Sequence, residues 1–336
     1  MIRVLAAGVI AMIVSILVGP KFIDFLRRNE FGQHIREEGP EGHRIKQGTP
    51  TMGGLLILVV ATVSFLAVSK YKVPALTVLF VTLGCGAIGF LDDFIKLTHR
   101  RSLGLRGRWK LLLLAMITVG VGFAADHQHL PTNVFIPVVH WSIELSWGWY
   151  VLLFLVIAGT ANGVNLTDGV DGLAAGAGII ALLTFTAIAV VTYIRSGNPG
   201  GRFDSRLDLA IVGAALIGAA IGFLWYNAHP AEVLMGDTGS FAIGGALAAM
   251  AIFTQTITLL LAIGGIFLIE ALSVIVQVVS FKYFGRRVFL MTPIHHHFEM
   301  KAWSETKIMV RFWIVTAILC AIGFALFYRD FTFFRR

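Results

Sequence analysis

Charge is scarce in this 336-residue chain. Asp, Glu, Lys and Arg supply 14% of it, 57% is apolar, and the mean hydropathy is +0.82. That balance argues against a soluble globular fold. It predicts an all-α polytopic membrane protein, whose helices satisfy their own backbone because lipid offers no hydrogen-bond partner. Cysteine is almost missing. Cys85 and Cys320 both fall in apolar runs without metal-ligand spacing, which excludes a disulfide framework and leaves two small apolar thiols. A small-residue cleavage site is missing as well. Residues 4–20 are apolar but lead into Gly19-Pro20 and "KFIDFLRR", so they read as an uncleaved first span. There is no repeat, low-complexity tract or long soluble insert, and the chain is expected to be one domain, 1–336. Acidic residues are scarcer than basic ones, 19 against 27. In a membrane chain that excess points to anionic lipid or an anionic substrate, with no nucleic-acid partner.

What is abundant is long apolar sequence. Runs long enough to cross a bilayer, or nearly so, fall near 2–20, 53–69, 74–92, 111–125, 148–162, 173–194, 208–226, 238–255, 257–281 and 308–328. Ten spans put both termini on one side. The alternate loops 21–52, 93–110 and 282–307 hold 17 Lys and Arg residues, against 9 on the opposite side. The positive-inside bias makes the first set cytoplasmic and places both termini outside. The outer stretch 126–147 alternates around Pro131 and Pro137 and predicts a small hairpin. Trp141, Trp147, Trp149 and Tyr150 read as an interfacial aromatic belt.

Five polar motifs interrupt this pattern: "HRIKQGTPTMGG" with Lys46 and Thr51, "FLDDFIK" with Asp92, Asp93 and Lys96, "ANGVNLTDGVDGLAAG" with Asn162, Asn165, Asp168 and Asp171, "YNAHPAEVLMGDTGS" with Asn227 and Asp237, and "MTPIHHHFE" with His295, His296 and His297. Hydropathy alone assigns all five to the cytoplasmic side. The expected site is therefore a cleft on that face.

Five carboxylates on one low-dielectric face repel one another unless a cation intervenes, and all-oxygen ligands favour a hard ion such as Mg²⁺. The three histidines suit phosphate or sugar contact, with zinc or a structural role as alternatives. "GDTGS" is no Walker loop. It either caps the eighth span or offers its free N–H groups to an anion. Asp92 and Lys96 share a helical face and form either a structural ion pair or part of a site. The step of three between Asn162, Asn165, Asp168 and Asp171 drifts around an ideal helix, and three glycines weaken it, so an irregular pocket-lining segment is expected. Glu270, deep in the ninth span, faces the bundle interior on cost grounds, with a structural or a catalytic role open. Carboxylates, amides, imidazoles and Lys/Arg around a hard metal suit phosphoryl transfer between a soluble anion and a lipid phosphate. A cation-coupled transporter is the reading from another class, but the polar groups cluster at one end and not at the midplane.

In sequence order, "KQGTPTMGG", "LDDFIK", "NGVNLTDGVDGLAAG", "YNAHPAEVLMGDTGS" and "PIHHHFE" resemble the polyprenyl-phosphate N-acetylhexosamine-1-phosphate transferase superfamily. "PIHHHFE" points within it to the phospho-N-acetylmuramoyl-pentapeptide-transferase branch. The resemblance runs from residue 44 to 300. It implies transfer from UDP-N-acetylmuramoyl-pentapeptide to undecaprenyl phosphate with release of UMP, at a bacterial inner membrane and dependent on Mg²⁺. The same chemistry with a UDP-N-acetylglucosamine donor is the nearest alternative. By motif match Asp237 binds the metal, Asp92 is the catalytic carboxylate and Asp93 supports it. Asp168, Asn227 and Lys96 contact the uridine end, with Gln277 beside them. Lys46, Thr51, Lys110, Asn162, Asn165, Asp171 and His295 to His297 line the remaining pocket. A homodimer is a family-level expectation. The chain departs from the family at Leu234, where well-known members carry an aromatic, which bears on nucleoside binding.

Overall fold

A computed structural model describes residues 1–29, 48–99, 104–197 and 203–331. Its helices are α1 (Ile2–Arg28), α2 (Gly54–Val68), α3 (Val73–Thr98), α4 (Gly107–His127), α5 (Gly148–Thr167), α6 (Leu173–Arg195), α7 (Asp204–Asn227), α8 (Gly236–Phe253), α9 (Leu260–Ile263), α10 (Gly265–Phe284), α11 (Ile294–Glu299) and α12 (Glu305–Leu326). Among the described residues, nine helices are long and apolar enough to cross a membrane, and α2 is a shorter apolar tenth. The protein is an all-α polytopic membrane protein. The ninth predicted span is divided. A 3₁₀ turn at Ile257–Leu259 and α9 precede a break at Gly264, after which α10 begins.

Helices α7 and α8 lie at the centre and are buried along most of their length. Around them, α7 packs on α1, α2 and α6, and α8 on α3 and α5. Small residues set how closely these helices approach, as expected where lipid is as apolar as the helices themselves. A side-chain carbon at Gly244 of α8 would stand 2.6 Å from the Ala161 Cα and 2.7 Å from the Thr160 carbonyl of α5. The outer helices α1, α4, α10 and α12 instead expose Leu5, Leu17, Phe123, Ile275, Ile314 and similar side chains, the surface a bilayer would cover.

The predicted hairpin is present: β1 (Asn133–Ile136) pairs antiparallel with β2 (Trp141–Glu144). Buried Asp330 accepts from the Val138 N–H at 2.7 Å and ties its turn to the end of α12. Buried Asp208 of α7 likewise accepts from Ser69 Oγ, Lys70 N–H and Lys72 N–H at 2.9, 2.8 and 2.9 Å, closing the α2–α3 connection. Both carboxylates satisfy loop backbone that would otherwise be orphaned.

Gly244→Leu is expected to force α5 from α8 and destabilise the fold by about 1–3 kcal/mol, the usual cost of overpacking. Thermal denaturation in detergent micelles reads this as a lower Tm.

Candidate active site

The site is assembled by the ends of α3, α4, α5 and α8. Asp92 and Asp93 are adjacent near the C-terminus of α3, about 100° apart around its axis, so they face different neighbours. Asp93 turns to α8. It accepts from the Asp237 and Thr238 N–H groups at 3.1 and 2.9 Å and from the Thr238 hydroxyl at 2.7 Å. The first N–H groups of a helix have no partner within it, and none of α8's own residues caps it. Asp93 supplies that cap from another helix and adds a negative charge at the positive end of the helix dipole.

Asp92 turns to the α3–α4 connection. Its Oδ1 accepts from the Leu105 N–H at 2.7 Å and pairs with Lys110 Nζ at 3.0 Å, and its Oδ2 pairs with Lys96 Nζ at 2.6 Å. A side chain at Gly104 would collide with this carboxylate, so the approach needs glycine there. Asp237 sits in the first turn of α8. Its Oδ2 lies 3.1 Å from both Lys96 Nζ and Lys110 Nζ, and its Oδ1 accepts from Asn165 Nδ2 at 2.9 Å. Asn165 also donates to Ser240 Oγ at 2.9 Å. The Lys110 ammonium stands 5.0 Å above the Phe241 ring. Gly236, at φ +73°, makes the tight entry into α8, and a side chain there would meet Asp93 and Thr51.

Oxygens of Asp92, Asp93 and Asp237 all lie within 4.8 Å of one another. This all-oxygen set fits a hard divalent cation. Asp237 and Asp92 are the two whose oxygens could be offered to it, because Asp93 is occupied by α8. Two ammonium groups and one divalent ion are alternative partners for the same pair of carboxylates.

The Asn/Asp motif is less irregular than its glycines suggest. Asn162 and Asn165 are helical, in the last turns of α5. Asn162 donates to the Ala158 carbonyl of its own helix at 2.7 Å. The chain breaks only after Thr167. Asp168 ends α5, and Gly172, at φ +72°, starts α6. Buried Asp171 in that turn accepts from the Ala231 N–H and pairs with His229 Nδ1, both at 3.1 Å, and His229 lies 3.6 Å from Glu305. Asp171, His229 and Glu305 form a second group of possible ligands.

Other predicted residues hold backbone. Buried Asn227 accepts from the Gly172 N–H at 3.2 Å and donates to the Val233 carbonyl at 2.9 Å, joining the turn before α6 to the α7–α8 loop. Gln277 of α10 accepts from the Val288 and Phe289 N–H groups and donates to the Phe289 carbonyl, shaping the loop before α11. On α11, His296 pairs with Glu299, and its ring lies tilted against that of His295 with centroids 4.1 Å apart. His297 accepts from the Leu290 N–H at 3.1 Å. Desolvation, then Lys301, pulls its imidazole below the ordinary value, which suits a neutral acceptor. Wholly buried His295 pairs through Nδ1 with Glu270. Lys46 lies outside the described residues. Thr238, Ser240, Leu105, His229 and Glu305 were not predicted. The hydroxyls were visible within "GDTGS", whereas the Leu105 N–H and Glu305 carry no local signal.

Carboxylates, lysines and an amide gathered at the end of membrane-spanning helices define a membrane-embedded transferase. A model described as Glycosyl transferase family 4 matches residues 75–255, which include α3 through α8. Residues 46–58 match Phospho-N-acetylmuramoyl-pentapeptide-transferase signature 1. Proteins named phospho-N-acetylmuramoyl-pentapeptide-transferase are similar over nearly the whole chain. That of Rubrobacter xylanophilus is 48% identical, covering 98% of each chain. That of Geobacillus thermodenitrificans is 46% identical over 95% of this chain and 96% of its own, and that of Bacillus velezensis 44% over 94% and 95%. The chain belongs to the phospho-N-acetylmuramoyl-pentapeptide-transferase family.

Asp93→Asn is expected to cost about 1–3 kcal/mol, because an amide cannot accept from all three α8 donors and stay satisfied. A lowered Tm in detergent, with no ligand added, measures it.

Proposed function

We propose that the chain transfers phospho-N-acetylmuramoyl-pentapeptide from UDP-N-acetylmuramoyl-pentapeptide to undecaprenyl phosphate. UMP leaves, and the product is the first lipid intermediate of peptidoglycan synthesis. The observation that carries this is the Asp92–Asp237–Lys96–Lys110 cluster at the helix ends, in a chain of this family. The enzyme works as one domain, 1–336, in the bacterial inner membrane, with the cluster facing the cytoplasm, a side that the Lys/Arg asymmetry of the loops supports.

Mg²⁺ is the cation this donor set suits. Held at Asp237, it would supply positive charge for the donor diphosphate and for the charge that develops on transfer. The protein's own groups do the positioning. Lys96 and Lys110, now shared between Asp92 and Asp237, move toward the incoming phosphates. That releases Asp92 to orient the lipid phosphate and to accept its remaining proton. A phosphate monoester has its second pKa near ~6, so the acceptor is already largely nucleophilic at neutral pH and direct attack needs little base. The lipid phosphate oxygen forms a bond to the β-phosphorus. The bond from that phosphorus to the bridging oxygen breaks, and its electron pair leaves on UMP. Asn165 holds Asp237 in register, and Asp93 fixes the backbone beneath it. We assign nucleotide and sugar contact to Asp168, Asp171, Asn162, Thr51 and the histidines, with Lys46 added on its motif alone, while Asn227 and Gln277 hold the loops beside them. Nothing observed favours an N-acetylglucosamine donor or ion transport.

UMP release across Mg²⁺ concentrations tests this. Asp237→Asn is expected to need more Mg²⁺ and to recover partly when it is supplied. Asp92→Asn is expected to stay inactive at every concentration, and chelation to stop the native enzyme. Full activity in either variant removes that residue from its role.

A further inference from the structure

Glu270 and His295 form a pair with two loose ends. Both side chains are wholly buried, Glu270 in α10 and His295 in α11. Glu270 Oε1 lies 3.0 Å from His295 Nδ1. The remaining polar atoms, Glu270 Oε2 and His295 Nε2, are buried without a partner. A buried orphan of this kind costs roughly 1–3 kcal/mol and calls for a reason. Its direction supplies one. A side chain added at Gly169 would run into Nε2, so the imidazole edge points at the Asp168–Gly169 turn of the site.

The proton position follows from charge. A lone carboxylate buried at this depth is far costlier than a neutral pair. The pair is neutral in two ways: carboxylate with imidazolium, or carboxylic acid with imidazole. In the first, both ring nitrogens carry hydrogen. In the second, the acid donates to Nδ1, so the ring hydrogen sits on Nε2. A rival tautomer of the second, with the acid hydrogen on Oε2 and Nδ1–H donating to Oε1, leaves the acid O–H buried without an acceptor. In the two arrangements that place the acidic proton between Glu270 and His295, Nε2 carries hydrogen and cannot accept.

We propose that Glu270 is a positioning residue that fixes His295 as an obligate Nε2–H donor toward an anionic oxygen bound at the Asp168–Gly169 turn. This rests on the transferase reading, under which that oxygen belongs to the sugar nucleotide. The missing side chain at Gly169 lets the imidazole edge lie directly against this turn, since a side-chain carbon there would collide with Nε2. An amide at position 270 carries no acidic proton. It can accept from Nδ1–H through its carbonyl or donate to Nδ1 through its NH₂, so the ring is no longer held to one tautomer and part of the population has a bare Nε2.

Histidine ¹⁵N NMR at neutral pH tests this directly. Ile294–His295 is the only Ile–His step in the sequence, so ¹³C-carbonyl Ile with ¹⁵N-His assigns the residue without a variant. Native protein should show a protonated Nε2 whose signal moves when UDP-N-acetylmuramoyl-pentapeptide is added. Glu270→Gln should shift the Nε2 signal toward the bare-nitrogen region, as the ring divides between tautomers, and lower kcat/KM for UMP release by about ten- to a hundredfold, the scale for losing a partner that orients a functional histidine. A bare Nε2 in the native protein, or one indifferent to the sugar nucleotide, overturns the proposal. So does a Glu270→Gln enzyme with unchanged kcat/KM. The native spectrum stands even if that variant does not fold. UMP release by native protein tests the transferase reading separately.

Discussion

The three hydrogen bonds from the start of α8 to Asp93 join residues 144 and 145 positions apart in sequence, and they set the geometry of everything nearby. They fix α8 against the end of α3 at one height and one rotation. Asp237 then necessarily stands beside Asp92, because each is the immediate neighbour of a bonded residue. Asn165 reaches Asp237 only because α8 is held there, and Lys96 and Lys110 can bridge the two carboxylates only because these are adjacent. A helix terminus in a membrane protein cannot rely on water for its first N–H groups. The capping requirement and the assembly of the site are thus one constraint.

The bilayer imposes a division of polar labour. At the end away from the site, Asp208 and Asp330 hold loop backbone, Asp208 with the Ser69 hydroxyl and Asp330 with the Arg329 guanidinium as further partners. At the site end, Asn227, Gln277 and Asp93 do the same work. Asp92, Asp237, Lys96 and Lys110 instead make most of their contacts with one another, at 2.6 to 3.1 Å, and Asp92 alone of the four also holds a backbone N–H. A polar residue near membrane depth is costly either way. What separates scaffold from chemistry is whether its partner is fixed backbone or another mobile charge.

This distinction explains how much could be read from the sequence. The ten apolar segments, the hairpin and the five polar motifs were legible because hydropathy and turn chemistry are local. So was the Asp92–Lys96 pair, which is a spacing of four on one helix. The tasks of Asp93, Asn227 and Gln277 were not. An aspartate capping a distant helix looks the same in sequence as one awaiting a substrate, and an amide that holds a loop looks the same as one that reads a base. Glu270 was legible as a cost and not as a partnership, since His295 lies 25 positions on. The short range of the irregular turn was also hidden. Three glycines suggested a longer break, but packing holds α5 helical to Thr167, and Asn165 keeps its place through Asp237 and Ser240.

The charge at the cluster limits how the proposed reaction can run. Three carboxylates against two ammonium groups leave it negative by one, which repels both a diphosphate and a lipid phosphate. Replacing one carboxylate would mend the balance but remove a ligand or the α8 cap. Adding lysines would fill the space the phosphates need. A divalent cation turns the balance to plus one without changing a residue, and at contact distance in a partly dry site its charge counts for far more than it would in water. Lys96 and Lys110 then hold the carboxylates apart from one another while no anion is present, and are free to follow the phosphates when they arrive. On that argument the lysines matter most for the order of events. They bridge Asp92 and Asp237, and under the proposed reaction they would be the groups free to turn to phosphate.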